Sequence, residues 1–162
     1  MKAHKTLLFT IVLAIISINL FSQTAEEWKK LGNAASDSAN YNKAIEYYQK
    51  ALEVDSNYFD AYFNLGSAFA SIFEFDTAIE YYNKALIKND TDADVFFALG
   101  SIYAQKQDYG KAIEMFKKGI QLEPNSPEEH YYLALLYQEK GTRTMCQLQV
   151  KRQITVGANK DF

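Results

Sequence analysis

Cysteine is almost missing from this chain: Cys146 is the only one in 162 residues, so no intrachain disulfide can form. In an exported protein it would be a free thiol or an intermolecular bridge, and its plainer role is a small apolar filler on a helix face. Histidine is nearly as scarce, at His4 and His130, and no H-x-x-x-H, C-x-x-C or aspartate cluster accompanies them. A metal site needs several converging ligands, so none is expected. Seven glycines and two prolines form no G-x-G-x-x-G, P-loop or G-x-S-x-G sequence, which argues against nucleotide binding and nucleophile-elbow chemistry. No basic stripe runs along the chain, whose formal net charge is -3, and nucleic acid is therefore not an expected partner. The late cluster of Lys140, Arg143, Lys151, Arg152 and Lys160 reads as a solvated chain end.

What is present begins with "MKAHK", a basic start followed by the uncharged apolar run "TLLFTIVLAIISINLF" ending at Phe21. That run has the length of a signal-peptide core and is short for a membrane span, which needs roughly 20 apolar residues. Residues 1–23 are read as a signal peptide with cleavage near "SQTA", and an uncleaved signal anchor is the alternative. The expected location is thus secreted or periplasmic, with membrane attachment only if the segment stays on.

The rest of the sequence repeats. "YNKAIEYYQKALEVDSN" at Tyr41 returns as "FDTAIEYYNKALIKNDT" at Phe75 and "YGKAIEMFKKGIQLEPN" at Tyr109, a period of 34 residues by subtraction of those positions. A fixed period of this size signals stacked repeats. With Ala25 as position 1, the units are 25–58, 59–92, 93–126 and a divergent or partial fourth, 127–162. Each complete unit reads as two helices. Apolar residues recur at positions 4, 7 and 11 of the first, as in Tyr62, Leu65 and Phe69. Position 8 is Gly32, Gly66 or Gly100, and position 20 in the second helix is Ala44, Ala78 or Ala112. Small residues at both registers suggest a seam where glycine faces alanine and the helices approach closely. Acids open each first helix, at Glu26, Asp60, Asp94 and Glu128, where they suit the helix dipole rather than acid-base chemistry. They are spread singly along the repeats, so no enzymatic activity is expected.

Trp28, Leu31, Gly32, Ala44, Tyr48 and Ala51, with their counterparts through Pro124, resemble the tetratricopeptide repeat (TPR) pattern from residue 25 to about 141. The resemblance implies an all-α, right-handed superhelical solenoid of helix-turn-helix units. It also implies a concave groove that binds a peptide or protein, with no cofactor and no small-molecule substrate. In the fourth unit Leu133, Ala134 and Tyr137 still fit. "GTRTMCQLQVKRQITVGANKDF" does not, although Cys146, Val150 and Ile154 keep an i, i+4, i+8 stripe. It reads as a polar cap or as the end of a longer array.

The family's groove face carries first-helix positions 2, 5, 6, 9, 12 and 13. The resemblance therefore singles out Lys29, Asn33, Phe63, Asn64, Ser67, Phe97, Ser101 and Tyr131, with Leu135 at position 9 of the fourth unit. Phe63, Phe97 and Tyr131 share position 5 and are expected to serve binding rather than stability, lying away from the glycine seam. The alternative is that they pack against adjacent helices. Lys29, Asn33 and Asn64 also resemble the clamp that some TPR domains use on acidic chaperone tails. Asp94 and Ala98 stand where that clamp would place cations, which argues against such a ligand.

Overall fold

The computed structural model describes residues 23–158, with side chains described as far as Thr144. The leader-like residues 1–22, including His4, lie outside the described residues, as does the side chain of Cys146. The described residues form helices and turns without a strand. The helices are α1 (Ala25–Asp37), α2 (Tyr41–Val54), α3 (Phe59–Ser71), α4 (Phe75–Lys88), α5 (Ala93–Gln105), α6 (Tyr109–Leu122) and α7 (Pro127–Ala158). None of them is long and apolar enough to cross a membrane. The chain divides into two compact units, Met1–Tyr81 and Tyr82–Phe162, with the division inside α4.

Local chemistry fixes where helices start and stop. Thr24 opens α1 with a reciprocal capping box: the Glu27 amide donates to Thr24 Oγ1 at 3.2 Å and the Thr24 amide donates to Glu27 Oε2 at 2.8 Å. Asn40, Asp92 and Asp108 cap α2, α5 and α6 by accepting from the amides of Lys43, Val95 and Lys111. Asp108 is held below the usual carboxylate range mainly by that amide bond. The first helix of each complete repeat ends at a residue in the left-handed region: Ala39, Phe73 and Gln107, with φ of 56°, 64° and 60°. The amide of the following residue then reaches back to the carbonyls of Ala35, Phe69 and Tyr103 at 2.9 Å, the Schellman arrangement.

In the first unit α1 and α2 run antiparallel, with Trp28 stacked on Tyr47 and covered by Lys50. The core gathers Ala44, Ile45, Tyr48, Leu65 and Ala68, with Leu52, Phe69 and Tyr81 against it. In the second unit Ala112, Ile113, Phe116 and Leu136 form the core, flanked by Phe97, Tyr103 and Leu133. The largest fully buried side chains are Leu65, Leu99 and Val95. Each contributes roughly 1.5–3 kcal/mol by leaving water.

The seam differs from the one expected. A side chain at Gly32 would strike the ring of Tyr48, and one at Gly100 would strike the ring of Phe116 at 2.6 and 2.7 Å. The glycines therefore leave room for the aromatic ring at position 24, which lies on bare backbone, and not chiefly for the alanine at position 20. The alanines are closed off all the same, Ala44, Ala78 and Ala112 each having no exposed surface. The fourth unit also departs from a hairpin, because α7 runs 32 residues as one helix through Gly141.

Candidate functional site: the groove positions

In the first unit the groove positions other than Phe63 are mostly polar, and Lys29, Asn33, Asp60 and Asn64 bond in pairs. Lys29 Nζ lies 2.8 Å from Asp60 Oδ2 and 2.9 Å from Glu26 Oε2. The Tyr58 hydroxyl donates to Glu26 Oε2, and the Lys29 ammonium sits 5.6 Å from the centre of the Tyr58 ring. The bond to Asp60, then that to Glu26, pushes the Lys29 pKa well above its ordinary value, so it is charged throughout the accessible pH range. Glu26 is lowered by the hydrogen bonds from Lys29 and Tyr58. One lysine and two acidic side chains meet at this corner, a formal charge of about -1. Lys29 is thus a neutralised strut between two repeats rather than an open anion site.

Asn33 and Asn64 do come together. Asn33 Oδ1 accepts from the Tyr48 hydroxyl at 2.9 Å and from Asn64 Nδ2 at 3.3 Å. The Asn33 amide NH2 and the Asn64 carbonyl oxygen are not used in these bonds, and that donor and acceptor match the pattern of a peptide backbone. Burial of its ring raises the pKa of Tyr48, so it remains a donor at neutral pH. Phe63 is half-buried and stacks on Phe59, with ring centres 6.3 Å apart. Ser67 is half-buried, and its carbonyl accepts from Ser71 Oγ at 2.9 Å.

In the second unit the groove positions border a largely apolar recess. Ser101, Ala104 and Gln105 of α5, Phe116 of α6, and Tyr132 and Leu136 of α7 line an open notch of about 200 Å³. Ser101 Oγ donates to the Phe97 carbonyl at 3.0 Å, which turns the hydroxyl onto its own helix. Beside the notch Tyr131 and Tyr132 are 63% and 53% exposed, with ring centres 6.2 Å apart. Leu135, at position 9 of the fourth unit, is 38% exposed.

Phe97 requires a correction. Its ring covers Gly119 closely enough that no β-carbon could stand there, and it tilts against Phe116 at 6.0 Å. It lies in the helix seam and not away from it, because position 27 narrows to glycine beneath position 5. Tyr132, Phe116 and Tyr58 were absent from the residues read as the site. The first is at groove position 6, and the family pattern does point there. Tyr58 is the last residue of its repeat and is recognised only through its bond to Glu26. Among the described residues no group of His, Cys, Asp or Glu is arranged to hold a metal ion.

A family model described as TPR repeat matches residues 29–72 and 100–141, and a second, described as tetratricopeptide repeat, matches residues 59–86. The first covers more than half of the chain. The chain belongs to the tetratricopeptide repeat family. Among solved structures, one titled crystal structure of MamA is 31% identical with a TM-score of 0.69, covering 84% of this chain and 80% of that one. The first TPR of Spaghetti (RPAP3), bound to the HSP90 peptide SRMEEVD, is 24% identical with a TM-score of 0.69, covering 72% of this TPR chain and 93% of its own. The Arabidopsis OM64 TPR domain is 24% identical with a TM-score of 0.67, covering 70% and 94%. At those identities the last two show a shared fold. No curated protein matches the chain in sequence.

Proposed function

We propose that this TPR protein is a non-enzymatic scaffold that binds a protein or peptide partner on its groove face. The observation that carries the reading is the apolar notch of about 200 Å³, because its lining from Ser101, Ala104, Gln105 and Tyr132 occupies groove positions 9, 12, 13 and 6. A concave apolar recess beside exposed aromatic rings suits a leucine-like or aromatic anchor from a partner. The Asn33–Asn64 amide pair is the corresponding backbone-binding element of the first unit. The peptide-bound RPAP3 relative supports a peptide as the class of ligand. An acidic tail of the SRMEEVD kind is disfavoured here, since Lys29 is already matched by Asp60 and Glu26, and Asp94 and Ala98 offer no replacement cation.

The protein acts outside the cytoplasm under this proposal, delivered by the segment at residues 1–23. If that segment stays attached, the same scaffold becomes a membrane-anchored assembly factor. Mass spectrometry of the mature chain's N-terminus distinguishes the two. For binding, selection of displayed peptides against the full chain is expected to enrich apolar anchors. Peptides so selected lose binding to Ser101→Phe, which fills the notch. Enrichment of acidic C-termini, or selected peptides indifferent to Ser101→Phe, would contradict the proposal.

A further inference from the structure

α7 is 32 residues long where the earlier helices have 13 or 14, and it gains that length by passing through Gly141 and Thr142. In register these are positions 15 and 16. The three complete repeats turn at position 15, with Ala39, Phe73 and Gln107 forced to positive φ, and Asn40 and Asp108 cap the next helix from position 16. Glycine is the residue best suited to such a stop, and threonine is a good cap. Yet the one repeat with both does not turn: Gly141 keeps a negative φ, and Thr142 Oγ1 donates to the carbonyls of Gln138 and Glu139 at 3.1 and 2.9 Å. Beyond the missed turn Arg143 donates to Gln107 Oε1 at 3.0 Å and lies over the Tyr109 ring, which ties the straight helix to α6.

The straight path leaves a face uncovered. In one complete repeat or another, first-helix positions 4, 5, 8 and 11 each meet the helix that follows, although position 5 of the first repeat, Lys29, bonds Asp60 of α3 instead. Trp28 meets Tyr47, Phe97 meets Gly119, Gly100 lies under Phe116, and Tyr103 is overlaid by Lys111. Their α7 counterparts, His130, Tyr131, Ala134 and Tyr137, are all exposed, the two tyrosines by 63% and 51%. The segment in register to cover them is 143–158, where Cys146, Val150 and Ile154 hold positions 20, 24 and 28. In a continuous helix at about 1.5 Å per residue, Val150 stands about 24 Å along the axis from Ala134, so a chain cannot cover its own face.

We propose that a second copy of this chain supplies the cover. Two α7 helices lie antiparallel, and residues 143–158 of each take the place of the missing second helix on the other. This exchange is a domain swap with a closed two-fold. The register fits it. Gly32 with Tyr48 and Gly100 with Phe116 pair positions 8 and 24, which in α7 are Ala134 and Val150, so the two-fold falls at Thr142. Gly141 lies beside that point with nothing within 4 Å of where its side chain would be, which lets two backbones cross closely. The groove reading plays no part in this inference.

The test places one cysteine at each paired position, Ala134→Cys with Val150→Cys in a Cys146→Ser background of the full chain, followed by mild oxidation and a non-reducing gel. Disulfide-linked dimers carrying 134–150 bridges are expected. A 134–150 bridge closed within one chain would overturn the exchange, because the chain would then turn at Gly141 itself. Free thiols would overturn it equally, leaving the face to a different partner or to solvent. A check that needs no disulfide is sedimentation, under reducing conditions, of the parent and of Tyr137→Glu. Dimerisation is expected to weaken about tenfold or more with helix content unchanged, and a parent that stays monomeric at high concentration contradicts the proposal.

Discussion

Replacing Gly100 by alanine should destabilise this protein, although the same change in an ordinary helix does the opposite. Alanine is favoured over glycine inside a helix by about 1 kcal/mol. At Gly100, however, the new β-carbon would stand 2.6 Å from Phe116 Cδ2 and 2.7 Å from Cε2, well inside contact distance. Phe116 is only 4% exposed and is packed with Ala112, Ile113 and Leu136, so moving its ring aside, even toward the notch that it lines, breaks those contacts. Overpacking of a filled core costs about 1–3 kcal/mol, and a collision with two ring carbons belongs at the upper end. Setting about 3 against the gain of about 1 leaves a net loss of about 2 kcal/mol. For a chain of this size that lowers the thermal midpoint by about 4–8 °C. Gly110→Ala is the control, because its nearest neighbour is Asp108 Oδ1 at an ordinary 3.6 Å, and it should stabilise by about 0.5 kcal/mol. Circular dichroism melts of both variants suffice, with Phe116→Leu added to Gly100→Ala to recover most of the loss. A Gly100→Ala variant more stable than the parent would refute the ring-on-backbone seam.

Phe97→Ala should cost about 2–3 kcal/mol by chemical denaturation, since its ring packs on Gly119 and against Phe116. Asn40→Ala removes the α2 cap and should cost about 1 kcal/mol in the same assay. The Glu26 carboxyl is depressed below its ordinary 4.5, so its stabilisation is present above that value and is lost as pH falls through the lower native pKa. Lys29→Met removes the main cause, and thermal midpoints followed from neutral to acid pH should fall less steeply in the variant than in the parent.

The helices and their repeat were legible because a 34-residue period survives every local substitution, and its apolar stripe identifies the buried face. Which group meets each glycine was not legible. Position 8 has both Ala44 and Tyr48 within reach of Gly32 in register, and only the placed ring shows that Tyr48 lies on the backbone. Lys29 was legible as a groove residue but not as a neutralised one, because Asp60 is 31 residues away and Tyr58 carries no pattern of its own. Phe97 looked like a groove anchor for the same reason: its register is the family's groove register, and the glycine that draws it into the seam lies on another helix. The straight α7 runs against its local signals, since Gly141 and Thr142 spell a stop and the contacts holding the helix straight, from Arg143 to Gln107 and Tyr109, are tertiary.

The central claim, that the groove face of the second unit is the binding surface, rests most directly on one paired measurement. A peptide selected against the full chain is titrated calorimetrically into the parent and into Ser101→Phe, and the unfolding midpoint of each is recorded. Ser101 is exposed and its hydroxyl bonds only its own helix in the described contacts, so filling the notch should leave the midpoint within about 2 °C. Loss of an anchored side chain is worth about 2 kcal/mol or more, so Kd should rise by about 30-fold. An unchanged Kd with an unchanged midpoint would contradict the claim, because the notch would then be full and the partner would still be bound.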